Sequence, residues 1–361
     1  MNSNFLKFFE QELTQDKLAF FSKKYGLNNN STLDISSVME YTPQDTDEDM
    51  DPIPSDLNEN LSRKDLAENP SLILEKIRTN TFSFQPFSEK RLRRGEKTRI
   101  INILAPKDKI IDHISFKYLE NLYGLKTNYS IYKIALSISS CIKTKEVYFF
   151  RLDIKDFFGS IDHKILLDII QTENDKNLLK FIESFLNTKR VGSNELNNKY
   201  KKHNHDGIGI PQGAAISQAL SNLYLKNVDT YFQNYTIKNG DLYFRYVDDV
   251  CYLSEDENTV KNNLQFLIDK LESIGLKTNI KKQKSGKASN GFDYLGFNLS
   301  TQGISLSKKS IALIMSNYYN YYKKFLKNSS AYLSQNSENN NRIWRILSLA
   351  INSSIRGFNI G

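Results

Sequence analysis

The sequence predicts an α+β fold in which antiparallel strands are backed by helices. Three observations predict it. Val147–Ile154 is a run of β-branched and aromatic residues, a strand composition, and it leads into a helical pattern over 157–171. Asp241–Ser254 alternates as two short strands around a turn at Val247-Asp248-Asp249, which makes a hairpin. Apolar residues recur at helical spacing over 216–231 and again over 259–274, where the pattern stops at Gly275.

The other elements follow in chain order. Residues 4–25 read as an amphipathic helix, ended by Gly26 and the Asn-rich stretch that follows. Residues 29–60 are polar and acidic and contain Pro43, Pro52 and Pro54, so they read as a linker or mobile loop. A helix begins near Ser62, residues 98–104 form a strand, and Pro106 opens another helix. Residues 293–306 read as a small hairpin, and the chain from Ser307 onward is mostly helical. There is no internal repeat of solenoid period. The expected domains are an N-terminal helix (1–28), an acidic linker (29–62), a mixed α/β body (63–300) and a basic helical end (301–361).

Length and charge narrow the function. At 361 residues, 39% hydrophobic and 25% charged, the chain has ample material for a globular core. No apolar run approaches the roughly 18–20 residues of a membrane span, and the start lacks a secretory pattern. Two cysteines, Cys141 and Cys251, are too few for a disulfide scaffold or a Cys-based zinc site, and a reducing cytoplasm is the simplest compartment. The net charge is +8, but it is unevenly spread. Between Lys24 and Arg63 there is no basic residue and there are nine acids, so the rest of the chain carries +17. A strongly basic body suits a polyanionic partner.

Three carboxylates sit in unusual settings. Asp153 closes an apolar strand, and Asp248 and Asp249 sit at the tip of the hairpin. Asp is poor in strands and costly to bury as an ion without a partner. Taken singly, each is as readily a turn residue. Carboxylates at the ends of two separate central strands are what a pair of Mg²⁺ ions, roughly 4 Å apart, requires.

Tyr246-Val-Asp-Asp249 resembles the Tyr-x-Asp-Asp box of reverse transcriptases. Arg151-Leu-Asp-Ile-Lys-Asp-Phe-Phe158 resembles that family's first aspartate motif, and Gly209-Ile-Pro-Gln-Gly213 its Pro-Gln-Gly turn and following helix. Gly275-Leu-Lys-Thr-Asn279 with Lys282, the Asp293-Tyr-Leu-Gly-Phe297 turn and Arg94-Gly-Glu-Lys-Thr-Arg-Ile100 resemble three more of its motifs. All six occur in family order over residues 91–299. Within the family the chain looks most similar to bacterial enzymes of antiphage defence, abortive infection and retrons, on Asp153-Ile-Lys-Asp-Phe-Phe-Gly-Ser-Ile161 and Pro106-Lys-Asp-Lys-Ile110. It lacks the Val-Thr-Gly triplet of the retron thumb, and it shows no endonuclease tail or long maturase domain of mobile intron proteins.

The resemblance implies a right-hand polymerase: fingers, a palm with an antiparallel sheet, and a helical thumb. It implies RNA-directed DNA synthesis from deoxynucleoside triphosphates with two Mg²⁺ ions held by Asp153, Asp248 and Asp249. Arg99, with Lys97, would clamp the incoming triphosphate, since a guanidinium matches phosphate oxygens in pairs. Phe158 would lie under the sugar and exclude a 2′-hydroxyl, while Phe157 or Phe158 belongs to the core, because adjacent residues leaving a strand face opposite ways. Gln212 and Gly213 would line the nucleotide site. Lys282 would protonate the pyrophosphate leaving group, or else it belongs to a solvated basic face with Lys281 and Lys284. Tyr246, Leu295 and Gly296 would meet the nucleic acid. Lys308, Lys309, Lys323 and Lys324 lie among interleaved tyrosines on a segment that would track a duplex backbone.

The partners expected are an RNA template, which could be a non-coding RNA, the DNA product, and a partner protein or second copy completing an abruptly ended thumb. No membrane is expected. The localisation implied is the bacterial cytoplasm. The acidic 34–59 segment would be a solvated spacer or a flap that competes with nucleic acid for the basic groove. His203 and His205 read as part of a polar loop, and Cys251 as a small apolar strand residue. Two other readings stay open: a template-independent or protein-primed DNA polymerase on the same site, and a non-catalytic RNA-binding scaffold.

Overall fold

The computed structural model describes residues 3–13, 70–94, 97–125, 130–191 and 207–332. The acidic segment, the helix start at Ser62, His203, His205 and the tail beyond Tyr332 lie outside the described residues, as does the predicted first helix past Leu13. Two compact units emerge. One consists of Met1–Tyr129 with Phe150–Ser285, the other of Ser130–Phe149 with Gly286–Gly361.

In the first unit, α1 (Asn4–Glu12) is capped by the Ser3 hydroxyl, which accepts from the Leu6 amide at 3.3 Å. Phe5 and Phe9 are fully buried, and Phe5 lies 5.1 Å from the rings of both Tyr118 and Phe181. Each such burial is worth about 1.5–3 kcal/mol. α2 (Pro70–Arg78) leads into β1 (Phe87–Arg94), which pairs antiparallel with β2 (Lys97–Ile103) in the register Leu92 to Arg99. α3 (Pro106–Tyr123) starts with Pro at its first turn and ends at Gly124 in the left-handed conformation.

Within the second unit, α4 (Ile131–Thr144) carries Ile134, Ile138 and Ile142 on one buried stripe and is capped by Ser130. The sequence reading passed over it, although the cap and the spacing of those isoleucines signal it. The same holds for β1, whose Arg-rich composition disguises a strand.

β3 (Tyr148–Asp153) runs into the short α5 (Phe157–Ser160), then α6 (His163–Gln171) and α7 (Lys176–Leu186). Asp162 and Asp175 cap the last two through their carboxylates. β4 (Arg190–Val191) joins β1 in parallel. The single helix expected over 216–231 is two: α8 (Ala215–Tyr224) and α9 (Lys226–Asn239). The break falls at Leu225, where the backbone leaves the helical region for one residue.

The predicted hairpin is present as β5 (Leu242–Tyr246) and β6 (Asp249–Ser254), paired antiparallel with Tyr246 opposite Asp249. β6 borders β3, so the sheet order is β5-β6-β3-β7, with β7 at Lys284–Lys287. Phe150 of β3 stacks on Tyr252 of β6 at 5.3 Å, and Tyr252 is fully buried. α10 (Glu257–Ser273) is capped by Asp256.

The small hairpin expected over 293–306 is a three-stranded meander: β8 (Phe292–Tyr294), β9 (Phe297–Ser300) and β10 (Gly303–Leu306). Its first strand is only three residues long, which hides it from a period-two reading. α4 packs on β9 and β10, and Phe149 stacks on Phe292 at 3.8 Å. α11 (Lys308–Tyr332) follows. Among the described residues, no helix is long and apolar enough to cross a membrane.

Candidate active site

Asp153 ends β3, a strand buried on both faces, and is itself only 6% exposed. Its backbone and side chain are laced to a single later segment. The Asp153 carbonyl accepts from the Asn279 amide at 2.8 Å. Its carboxylate accepts from Lys282 Nζ at 2.6 Å on Oδ1 and from Asn279 Nδ2 at 3.3 Å on Oδ2.

Asp248 stands in the turn between β5 and β6, and Asp249 is the first residue of β6. Val247, which begins the turn, has φ 55, a left-handed backbone on a β-branched residue. Such a conformation costs about 1–3 kcal/mol and persists only where the surroundings enforce it. Two consecutive carbonyls of the turn are held from outside. Arg245 Nη1 donates to the Val247 carbonyl at 2.8 Å, and the Ile154 amide donates to the Asp248 carbonyl at 2.9 Å.

The charge of Asp153 is felt at both acids of the turn. Burial, then the charge of Asp153, raises the Asp248 carboxyl above its ordinary value, and Lys282 and Arg99 pull it back. Burial, then Asp248 and Asp153, pushes Asp249 up to about 6 against Lys282 and Arg151. Negative charge is therefore concentrated at the junction of β3 with the hairpin turn. Three hard carboxylate oxygen donors there suit a divalent cation such as Mg²⁺. Among the described residues no group of three or more His, Cys, Asp or Glu side chains is gathered tightly enough to hold an ion as it stands. The Asp153 oxygens face Lys282 and Asn279. The ammonium stands in for a cation on that carboxylate.

Arg99 lies on β2 with its side chain exposed, close enough that its charge is felt at Asp248. Lys97 begins β2, and its side chain lies outside the described part. Phe157 is 3% exposed and Phe158 is half-buried, so one ring is core, as expected, though the split arises on a helical turn rather than a strand. The Phe158 carbonyl accepts from the Ile210 amide at 2.8 Å, tying it to the Pro-Gln-Gly turn.

Gln212 reaches β2 through its backbone, where its carbonyl accepts from the Asn102 amide at 2.6 Å. At Gly213 a Cβ would stand 2.7 Å from the Asn102 carbonyl oxygen and 2.8 Å from Ile101 Cγ2, so only glycine permits this approach. Tyr246 is half-buried at the end of β5. Cys251 is fully buried, and burial holds its thiol neutral.

In the other unit, Leu295 and Gly296 form a left-handed pair (φ 48 and 86) between β8 and β9. The Gly296 carbonyl accepts from the Ser307 amide and the Ser310 hydroxyl. Lys308, Lys309 and Lys323 are exposed on α11, with Lys323 Nζ 4.6 Å from the Tyr319 ring centre. The side chain of Lys324 is outside the described part.

Sequence reasoning gave no role to Asn279, Arg151 or Arg245. Asn279 and Arg151 lie inside quoted motifs and Arg245 immediately before one, which is the signal that could have raised them.

The sequence pattern of the reverse transcriptase (RNA-dependent DNA polymerase) family matches residues 90–299, more than half of the chain. The chain belongs to that family, and its α+β fold is a right-hand polymerase fold. It is similar to a putative COX1/OXI3 intron 2 protein of Saccharomyces cerevisiae, 29% identical over 173 residues, which are 44% of this chain and 19% of the relative. An uncharacterized 91 kDa protein in the cob intron of Schizosaccharomyces pombe is 26% identical over 173 residues, covering 45% of this chain and 20% of that protein. The chain spans about a fifth of the length of these curated relatives. Among solved structures, telomerase of Candida albicans with a fragment of telomeric RNA aligns at TM-score 0.49 and 13% identity, over 79% of this chain and 58% of that one. Truncated apo telomerase of Candida tropicalis aligns at TM-score 0.48 and 13% identity, over 62% and 55%.

Proposed function

We propose that the chain is an RNA-directed DNA polymerase that joins deoxynucleotides to a primer 3′-hydroxyl. One observation carries this reading: Asp153, Asp248 and Asp249 converge from two adjacent strands, near enough that the charge of Asp153 raises the carboxyls of both Asp248 and Asp249, inside the segment that matches the family. Asp153, Asp248 and Asp249 would hold the metal. When bound, a pair of Mg²⁺ ions would sharpen the attacking hydroxyl and stabilise the departing oxygen.

The chain's own groups do the rest. Arg99 neutralises triphosphate charge at the edge of β2. The Phe158 ring would exclude a 2′-hydroxyl on the incoming sugar. Lys282, 2.6 Å from Asp153, stands at the acids with a proton to give to pyrophosphate as it leaves. The exposed lysines of α11, with Leu295 and Gly296, would bear on the nucleic acid.

The test is primer extension on a defined RNA template with deoxynucleotides and Mg²⁺. The wild-type chain is expected to copy the template, and Asp248→Asn is expected to leave only background. Products unrelated in sequence to the added RNA would instead favour template-independent synthesis.

The finer setting we propose is antiphage defence in a bacterial cytoplasm with a structured non-coding RNA. Its support is the likeness of Asp153–Ile161 and Pro106–Ile110 to such enzymes. The relatives reported above are named as intron proteins. Phage plating on cells carrying the wild-type chain or Asp248→Asn tests it, and equal plaque counts with and without the wild-type chain would discard the defence role.

A further inference from the structure

We infer that Arg245 is a positioning residue for the Asp-Asp turn: its guanidinium holds Val247 in a left-handed conformation and so decides where Asp248 presents its carboxylate. Val247 is the β-branched residue among the five non-glycine residues with positive φ in the described chain, the others being Asn80, Asp156, Asn174 and Leu295. Asn and Asp tolerate that conformation, whereas a β-branched side chain is driven out of it unless something holds it.

The Arg245 guanidinium is the holding group. Arg245 Nη1 donates to the Val247 carbonyl at 2.8 Å. The rest of the guanidinium is fixed before it reaches the turn. Nε donates to both Asp229 oxygens at 2.8 and 3.1 Å, and Nη2 donates to Asp229 Oδ2 at 2.5 Å and to Asn222 Oδ1 at 3.1 Å. Tyr243, two residues earlier on the same face of β5, donates its hydroxyl to Asp229 Oδ1 at 2.8 Å. The Arg245 and Asp229 side chains are 8% and 18% exposed, so the pair is shielded from solvent exchange.

Asp229 belongs to α9 and Asn222 to α8, the helix that follows the Pro-Gln-Gly turn. Arg245 thus transmits the position of two helices to the Val247 carbonyl. From the other side the Ile154 amide, next to Asp153, holds the Asp248 carbonyl. Val247 and Asp248 are pinned between a side chain and a strand, and the two acids of different strands are thereby set at a fixed separation. Only a planar fork serves, because it bridges Asp229, Asn222 and Val247 at once. A lysine carries the charge on one nitrogen and cannot span them.

The inference rests on the polymerase reading only for its consequence in catalysis. Mn²⁺ serves as a spectroscopic probe of the acids, titrated into the full chain without template or nucleotide and followed by electron paramagnetic resonance. Arg245→Lys is expected to weaken Mn²⁺ about 10- to 100-fold, the loss typical of removing an outer partner of a ligand, and to lower primer extension alongside. Circular dichroism at the titration temperature shows whether the chain is folded. Asn222→Ala loosens the guanidinium without unpairing a charge, and is expected to shift the affinity in the same direction by a smaller factor.

Val247→Asn, a residue content in the left-handed region, is expected to recover part of the affinity lost by Arg245→Lys when the two are combined. Unchanged Mn²⁺ affinity in both single variants overturns the inference, as does an equal loss with Val247 or Asn at the turn. A wild-type chain that binds Mn²⁺ but copies no template defeats the polymerase reading, and the clamp still stands or falls on the titration.

Discussion

Lys282 Nζ donates to Asp153 Oδ1 at 2.6 Å, across 129 residues of chain, so a cation from one motif sits on the acid of another. The Lys282 side chain is 44% exposed and that of Asp153 8%. The lysine is therefore anchored at the acid yet open toward solvent, a suitable place from which to meet an arriving phosphate. Lys282 thus touches the acid cluster while its side chain stays partly open to solvent.

Lys282→Ala is expected to lower the rate of nucleotide addition about 10²- to 10⁴-fold, the range a lost general acid gives. It removes the ammonium that competes for Asp153, so metal binding is expected to tighten. Single-nucleotide incorporation and a Mn²⁺ titration on the same protein check both. A parallel loss of metal binding and rate would mean that Lys282 serves the fold instead.

The acids also set a pH dependence. In the folded chain Asp249 keeps its proton up to about 6, against an ordinary value of 3.8. Between those values the native state binds more protons than the unfolded one, so the stability of the metal-free chain falls as pH rises through that window. Asp249→Asn is expected to flatten that decline and, at about pH 7, to raise the melting temperature by roughly 2 °C, allowing about 1 kcal/mol after solvent screening. Thermal unfolding in chelator at about pH 4.5 and 7 reads it.

Gly213→Ala is expected to destabilise the chain by about 1–3 kcal/mol, because the new methyl meets the β2 backbone. Its φ of +110 adds strain for any residue with a Cβ. Since β2 carries Arg99, the KM for deoxynucleotides is expected to rise as well. Denaturant unfolding and steady-state incorporation together test the placement of β2 against the turn.

Phe158→Ala is expected to raise ribonucleotide incorporation by roughly 10-fold or more relative to deoxynucleotides, as the sugar gains room. Competition assays with matched ribo- and deoxynucleotides measure the ratio. An unaltered ratio removes Phe158 from sugar selection and leaves it as partial core beside Phe157.

Much of the site was legible along the chain. The Val147–Ile154 strand, the hairpin with its Asp-Asp tip and the helix stopping near Gly275 all appear where their local patterns put them. The misses have physical causes. α4 and α7 are announced by Ser130 and Asp175 caps and by apolar residues three and four apart, signals read only when weighted above composition. β1 carries charged residues at five of its eight positions, which defeats an apolar strand pattern. The meander at 292–306 has strands too short for periodicity to speak.

The sequence by itself determined which residues carry chemistry: three carboxylates, a lysine, an arginine, an aromatic and a glycine turn, in a fixed order that names a family. Such motifs are local, and local order survives in a string of letters. Only the tertiary structure decided how they act on one another. Field strength and hydrogen bonding depend on separations of a few ångströms, and those are set by packing between residues far apart in the chain. Lys282 on Asp153, Arg245 reaching from Asp229 to Val247, and β2 pressed against Gly213 are each a distance, and no spacing in the sequence encodes them.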